Sequence, residues 1–262
     1  MLVLENEFVD SEGIGGRWKF APMWLFLMLY VFGQPSAAQS GMSDLPDANP
    51  GRPTVSTPAA LTPVGYLQLE NGTLFADHST EFSNRLGVSQ VTKLSVLPRL
   101  ELCFQSEPLA VSRSEGQHSV HEGEVFAGAQ GVLFSGAGPQ PTVSVSYIQR
   151  IHVSVAPELD TGTFRRSGLF LVSDDVHRFH LDVNGIIAEQ AQDGVRRAQF
   201  GQTLSISHPL ESSQFPGRCG ISLSHSSTAT PLGISWAVSY PVRKNLVVDG
   251  GFDHGLTKTS TQ

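Results

Sequence analysis

Two histidine pairs, His118 with His121 and His177 with His180, sit at spacings that invite a metal reading. A zinc site gathers three or four ligands, and neither pair has a third ligand at a telling distance. His118 and His121 fall in a stretch, 106–122, that reads as a long polar loop, where solvated histidines are the plainer expectation. His177 and His180 differ by an odd number, which in a strand turns them to opposite sides. Cys103 and Cys219 share no metal-type spacing with each other or with a histidine pair. Gly233-Ile234-Ser235-Trp236-Ala237 approaches a hydrolase nucleophile elbow, but Ala237 stands where the final glycine belongs and no helix pattern follows. The glycines at 123, 128, 131, 136 and 138 lead to no Gly-Lys-Ser/Thr ending, so they make no phosphate loop. No catalytic residue, cofactor or metal is expected, and the chain does not read as an enzyme.

What remains is a set of polar residues interleaved with apolar ones: Arg99, Glu101, Arg150, His152, His180 and Asp182. Their positions acquire meaning from a period of two that runs from residue 64 to residue 252. From Thr142 to Val155, the residues Val143, Val145, Tyr147, Ile151, Val153 and Val155 share one face, opposed by Ser144, Ser146, Arg150, His152 and Ser154. Alternation of this kind is the signal of a strand with one apolar and one wet face. The same rhythm recurs at Phe179, Leu181 and Val183 against His180, Asp182 and Asn184, and at Ile234, Trp236, Val238 and Tyr240 against Ser235, Ala237 and Ser239. The count is about eleven strands: 64–75, 82–96, 99–105, 123–134, 142–155, 168–174, 177–188, 196–207, 219–226, 232–240 and 245–252. Cys103 and Cys219 then face opposite sides, against the geometry that a disulfide demands.

Alternation fits two architectures. A soluble sandwich turns its apolar face inward against a second sheet. A membrane barrel turns it outward into lipid and keeps a polar lumen, with short turns at one end and longer loops at the other. The barrel accounts for more, because strands such as 142–155 are long and their polar faces carry charge. Gln90, Gln149 and Gln202 interrupt the lipid-facing parity, and the connections 135–141 and 208–218 are long for periplasmic turns. Across 262 residues, 16% charged with a formal net charge of −7, no basic cluster suits a nucleic-acid partner.

Ahead of the strands, Arg17 and Lys19 precede the apolar run Ala21 to Phe32, followed by Gly33, Pro35 and Ser36-Ala37-Ala38. That order reads as a secretory signal cleaved after Ala38, and the run is shorter than the roughly 20 residues a spanning helix needs. The acidic stretch Met1 to Gly16 is atypical before such a signal, so the start codon is expected downstream of Met1. The domain reading is 1–38 signal peptide with an atypical extension, 39–63 a Pro/Ser/Thr-rich disordered lead-in, and 64–262 the barrel.

The stretch Gly65 to Gly255 resembles the bacterial outer-membrane proteins named for the meta pathway of phenol degradation. The matching pieces are Gly65-Tyr66-Leu67-Gln68-Leu69-Glu70, Leu97-Pro98-Arg99-Leu100-Glu101-Leu102, Val238-Ser239-Tyr240-Pro241-Val242-Arg243-Lys244-Asn245-Leu246 and Asp249-Gly250-Gly251-Phe252. The resemblance implies an all-β, antiparallel, up-and-down transmembrane β-barrel of about twelve strands in a Gram-negative-type outer membrane, passing small, hydrophobic or aromatic compounds. Such barrels finish on a strand with a terminal aromatic residue, whereas this chain ends Thr257-Lys258-Thr259-Ser260-Thr261-Gln262. One strand is therefore expected to be missing. Expected partners are outer-membrane lipid, the outer-membrane insertion machinery and an unnamed small solute. The alternatives are a secreted soluble β-sandwich binding module and a structural barrel without transport. Arg99, Glu101, Arg150, His152, His180 and Asp182 are expected to line the lumen.

Overall fold

The computed structural model describes residues 46–51, 55–77, 82–114, 116–136, 140–156, 163–192, 195–212, 215–226 and 232–256. The expected signal peptide lies outside them. The described residues contain no helix. They form β1 (Leu67–Asp77), β2 (Asn84–Leu97), β3 (Leu100–Ser114), β4 (Gln117–His121), β5 (Val125–Phe134), β6 (Thr142–His152), β7 (Thr163–Val176), β8 (Phe179–Gln192), β9 (Val195–Ser212), β10 (Phe215–Ser226), β11 (Leu232–Arg243) and β12 (Leu246–Gly255). All twelve belong to one sheet, in place of the two facing sheets of a sandwich. Each strand on the main path pairs antiparallel with its neighbour in the order β1-β2-β3-β5-β6-β7-β8-β9-β10-β11-β12, with β4 folded back on β3 alone.

The sequence expectation changes at three places. The stretch 106–122 is not a loop: β3 runs on to Ser114 and returns as β4, with Ser112 Oγ and Ser119 Oγ 2.6 Å apart across the pair. Its strand signal is diluted: Leu109, Val111 and Val120 share the convex face, but Ser112, Arg113, Ser114, His118 and Ser119 break the alternation around them. The expected long connection 208–218 is also mostly strand, since β9 extends to Ser212 and β10 starts at Phe215. His177 stands in the turn between β7 and β8 with φ of 59°, so strand parity does not apply to it.

The sheet is strongly curved. In a flat sheet strands lie about 4.8 Å apart, so β1 and β12, ten intervals apart in the path, would be separated by roughly 48 Å. Yet the adjacent amides of Ala48 and Asn49 reach both ends. Ala48 N donates to the Lys244 carbonyl in the β11–β12 turn at 2.8 Å, and Asn49 N donates to Gln68 Oε1 of β1 at 3.1 Å. The ladder itself is not closed: β1 and β12 do not pair, and with an odd number of strands on the path they run parallel.

Curvature separates two faces of opposite character. On the convex face stand Phe75, Phe104, Val145, Tyr147, Phe170, Val183, Ile187, Phe200, Ile221, Trp236 and Phe252, all exposed. On the concave face stand buried Glu70, Lys93, Ser95, Glu101, Gln130, Ser144, Ser173, Asp182, Asn184 and Ser205. Of the buried hydrophobic residues among those described, only Phe82 and Leu171 are larger than alanine. This inverts the distribution of a water-soluble protein, in which large aliphatic and aromatic side chains fill the interior.

Candidate functional site

The concave face is built by strand parity. β6 turns Ser144, Ser146, Ile148 and Arg150 inward; β7 does so with Ser167, Leu169, Leu171 and Ser173; β8 with His180, Asp182, Asn184 and Ile186. Small hydroxyl residues dominate the end near the short turns. They leave room, and the room is filled by the chain's own residues 55–62.

This strap is part of 39–63, the stretch expected to be a disordered lead-in; residues 39–45 and 52–54 of that stretch lie outside the described residues, while 55–62 are held by bonds to the strands. Ser56 Oγ donates to Thr203 Oγ1 of β9 at 3.0 Å. The Asn184 carboxamide, oriented with its nitrogen toward acceptors, donates to the Thr57 carbonyl at 3.0 Å and accepts from the Thr57 amide at 2.6 Å. Gln130 Nε2 donates to the carbonyls of Pro58 (3.0 Å) and Ala59 (3.2 Å). The Ala59 amide donates to Ser173 Oγ at 2.7 Å, and its carbonyl accepts from Ser144 Oγ at 2.5 Å. Glu101 Oε2 accepts from the Thr62 amide (2.8 Å) and from Thr62 Oγ1 (2.5 Å). Proline at 58 and 63 removes two amide donors that would otherwise need partners. The composition that reads as disorder is what lets an irregular backbone lie buried, because strand side chains satisfy its polar groups.

Further along the interior, charges are paired. Lys93 Nζ lies 2.6 Å from Glu70 Oε1, which also accepts from Gln68 Nε2 (2.8 Å) and the Gly51 amide (3.2 Å). Arg85 holds Glu107 at 2.5 Å, and Arg150 bonds Glu124. A Cβ on Gly123 would collide with Glu107, so this position needs glycine for the carboxylate to reach Arg85. Burial pushes the Glu124 carboxyl above the usual glutamate range, against the lowering effect of Arg150. Asp182 accepts from Ser173 Oγ at 2.5 Å and lies 3.3 Å from His180 Nε2, whose Nδ1 is 2.8 Å from the exposed Asp175.

Of the six residues singled out by sequence, Glu101, Arg150, His180 and Asp182 share the concave face. Arg99 lies in the tight β2–β3 turn and His152 is exposed at the end of β6, so neither joins the buried set. Glu70, Lys93, Arg85, Glu107, Gln130 and Asn184 belong to it and were missed. Their signal was the same-face spacing of 68 with 70, 93 with 95, and 182 with 184.

Among the described residues no group of histidine, cysteine and carboxylate side chains is arranged to hold a metal. Ser235 sits within β11 paired against β10 and β12, so the Gly233–Ala237 stretch lacks the sharp turn of a nucleophile elbow. Cys103 faces inward, between Lys93 and Gly128, while Cys219 lies on the convex side opposite Val238; both are free. Two polar pairs lie on the convex face: Gln90 Nε2 donates to Asn71 Oδ1 at 2.8 Å, and the Tyr147 hydroxyl to Gln149 Oε1 at 3.0 Å. No protein-family model, curated protein or solved structure matches the chain.

Proposed function

We propose that this chain is an outer-membrane β-barrel of the type named for the meta pathway of phenol degradation, giving small solutes passive passage. The observation that carries this reading is the apolar convex face. Trp236 is 52% exposed, Phe200 56% and Ile187 58%, on β11, β9 and β8 of one continuous sheet. Contiguous apolar patches beyond a few hundred Å² mark contact with a membrane or another protein, and a band that follows nearly every strand suits acyl chains best. Paired convex-face amides fit the same setting, because an unpaired polar group in hydrocarbon is costly. Strands of 10 to 14 residues, such as β12 and β8, are long enough to cross with tilt, which takes about 9–11 residues.

A small hydrophobic or aromatic solute is favoured by the layer next to the strap. There Phe126, Ile148, Leu169 and Ile186 turn half-buried apolar surfaces inward, bounded by the Arg85–Glu107 and Arg150–Glu124 pairs. A structural barrel without transport is the second reading, favoured by an interior already occupied by the strap. The test has two steps. Fractionation is expected to place the protein in the outer membrane, with gel mobility that changes on heating. Swelling of proteoliposomes in small phenols and sugars then separates passage from a structural role, with no swelling above empty liposomes ruling out passage.

A further inference from the structure

We propose that residues 55–62 are a built-in plug that closes the interior at its short-turn end, and that passage requires this strap to shift. The proposal rests on the passage reading above and deepens it. Its basis is the strap's position together with the chemistry that holds it. Ser56 is bonded to β9 and Thr62 to β3, so the seven residues from Ser56 to Thr62 cross the concave face from one side to the other. Between them, Thr57, Pro58 and Ala59 are bonded to β8, β5, β6 and β7. A segment tied to that many strands lies across whatever space they enclose.

The attachment is of a releasable kind. The strap side chains from Ser56 to Pro63 are mostly small, and its bonds run to side-chain hydroxyls and amides on the strands and, at Thr62, to the Glu101 carboxylate, all of which water can replace one at a time. A permanent core would be expected to use large interdigitating apolar side chains. The neighbouring stretch 46–51 has separate anchors, to Lys244, Gln68 and Glu70, at the junction of the sheet's two ends. Among the described residues the two stretches share one exposed 3.5 Å bond, from Asn49 Nδ2 to the Ala60 carbonyl, and the Gly65 amide holds the far end of the strap on the Ser95 carbonyl. Residues 55–62 can therefore leave the interior while 46–51 stay in place, which makes the strap a closure held at both ends instead of a detachable tail.

The experiment is conductance across planar bilayers for three forms of the full chain. They are wild type, a loosened form (Gln130→Ala, Ser144→Ala and Asn184→Ala), and a locked form (Ala59→Cys and Ser173→Cys in a Cys103→Ser, Cys219→Ser background). All are first checked for heat-dependent gel mobility. The expected order is loosened several-fold above wild type and locked below it, with dithiothreitol returning the locked form to the wild-type level. If the loosened form does not fold, the dithiothreitol response of the locked form decides alone. Equal, non-zero conductance in all forms, insensitive to dithiothreitol, overturns the plug and leaves the passage reading standing. Silence in every form overturns passage, and the plug with it.

Discussion

Replacing Lys93 with methionine isolates the Glu70 carboxylate in the interior, and the structure sets the size of the effect. The two side chains are 10% and 6% exposed, with 2.6 Å between charged atoms. Removing one partner of a buried pair typically costs about 3–5 kcal/mol, most of it from the stranded charge. Glu70 keeps two donors, Gln68 Nε2 and the Gly51 amide, so the low end, about 3 kcal/mol, is expected for Lys93→Met. Converting the survivor to a neutral amide removes most of that penalty. The double variant Glu70→Gln, Lys93→Met should therefore sit within about 1.5 kcal/mol of wild type, a coupling of the size seen for groups in direct contact. The assay is urea unfolding of vesicle-inserted protein, read by gel mobility without heating. A Lys93→Met cost below about 1 kcal/mol, the range of a solvated pair, with no coupling to Glu70, would refute a dry interior at this pair.

Further outcomes follow from the same geometry. Val183→Arg, at an exposed convex position of β8, should cost about 2–4 kcal/mol if that face meets lipid near the midplane, as against about 0.5 kcal/mol or less on a watery surface; equilibrium folding into vesicles measures it. Gly128→Ala places a methyl against the Tyr147 carbonyl and Ile148 Cα, so it should lose about 1–3 kcal/mol, while Gly185→Ala, with nothing near the added carbon, should lose far less in the same assay. Because burial raises the Glu124 carboxyl, acidification protonates it before an ordinary glutamate and releases the Arg150 charge. Reversal potentials across bilayers should then drift toward anion selectivity as pH falls, and Glu124→Gln should abolish the drift.

Legibility in the sequence followed the physical source of each feature. Strands β6, β8 and β11 were readable because Val, Ile and aromatic residues alternate with Ser, His and Asp where one face is apolar. The end of β3 and all of β4 were not, since the apolar face there is only Leu109, Val111 and Val120, too short a run among Ser112, Arg113, His118 and Ser119 to stand out. The strap was unreadable for a different reason. Its order comes from partners 39 to 147 positions away in the chain, Glu101 for Thr62 and Thr203 for Ser56, and no local pattern encodes them. Ala, Pro, Ser and Thr describe an exposed linker and a largely buried strap bonded to the strands equally well. Within the interior, Glu101, Arg150, His180 and Asp182 were found because charge stands out on a wet strand face. Gln130 and Asn184, which hold the strap, were passed over because a neutral amide in an alternating strand carries no such mark.

The direction in which the apolar face points can be read from a single residue. Trp236 lies on the convex face beside Phe252, ring centroids 5.0 Å apart, and in a Trp18→Phe, Trp24→Phe chain it is the sole tryptophan. Its fluorescence in vesicles carrying bromine on the acyl chains should be strongly quenched relative to unbrominated vesicles. Full emission in both, from protein that stays soluble without detergent, would contradict a lipid-facing surface.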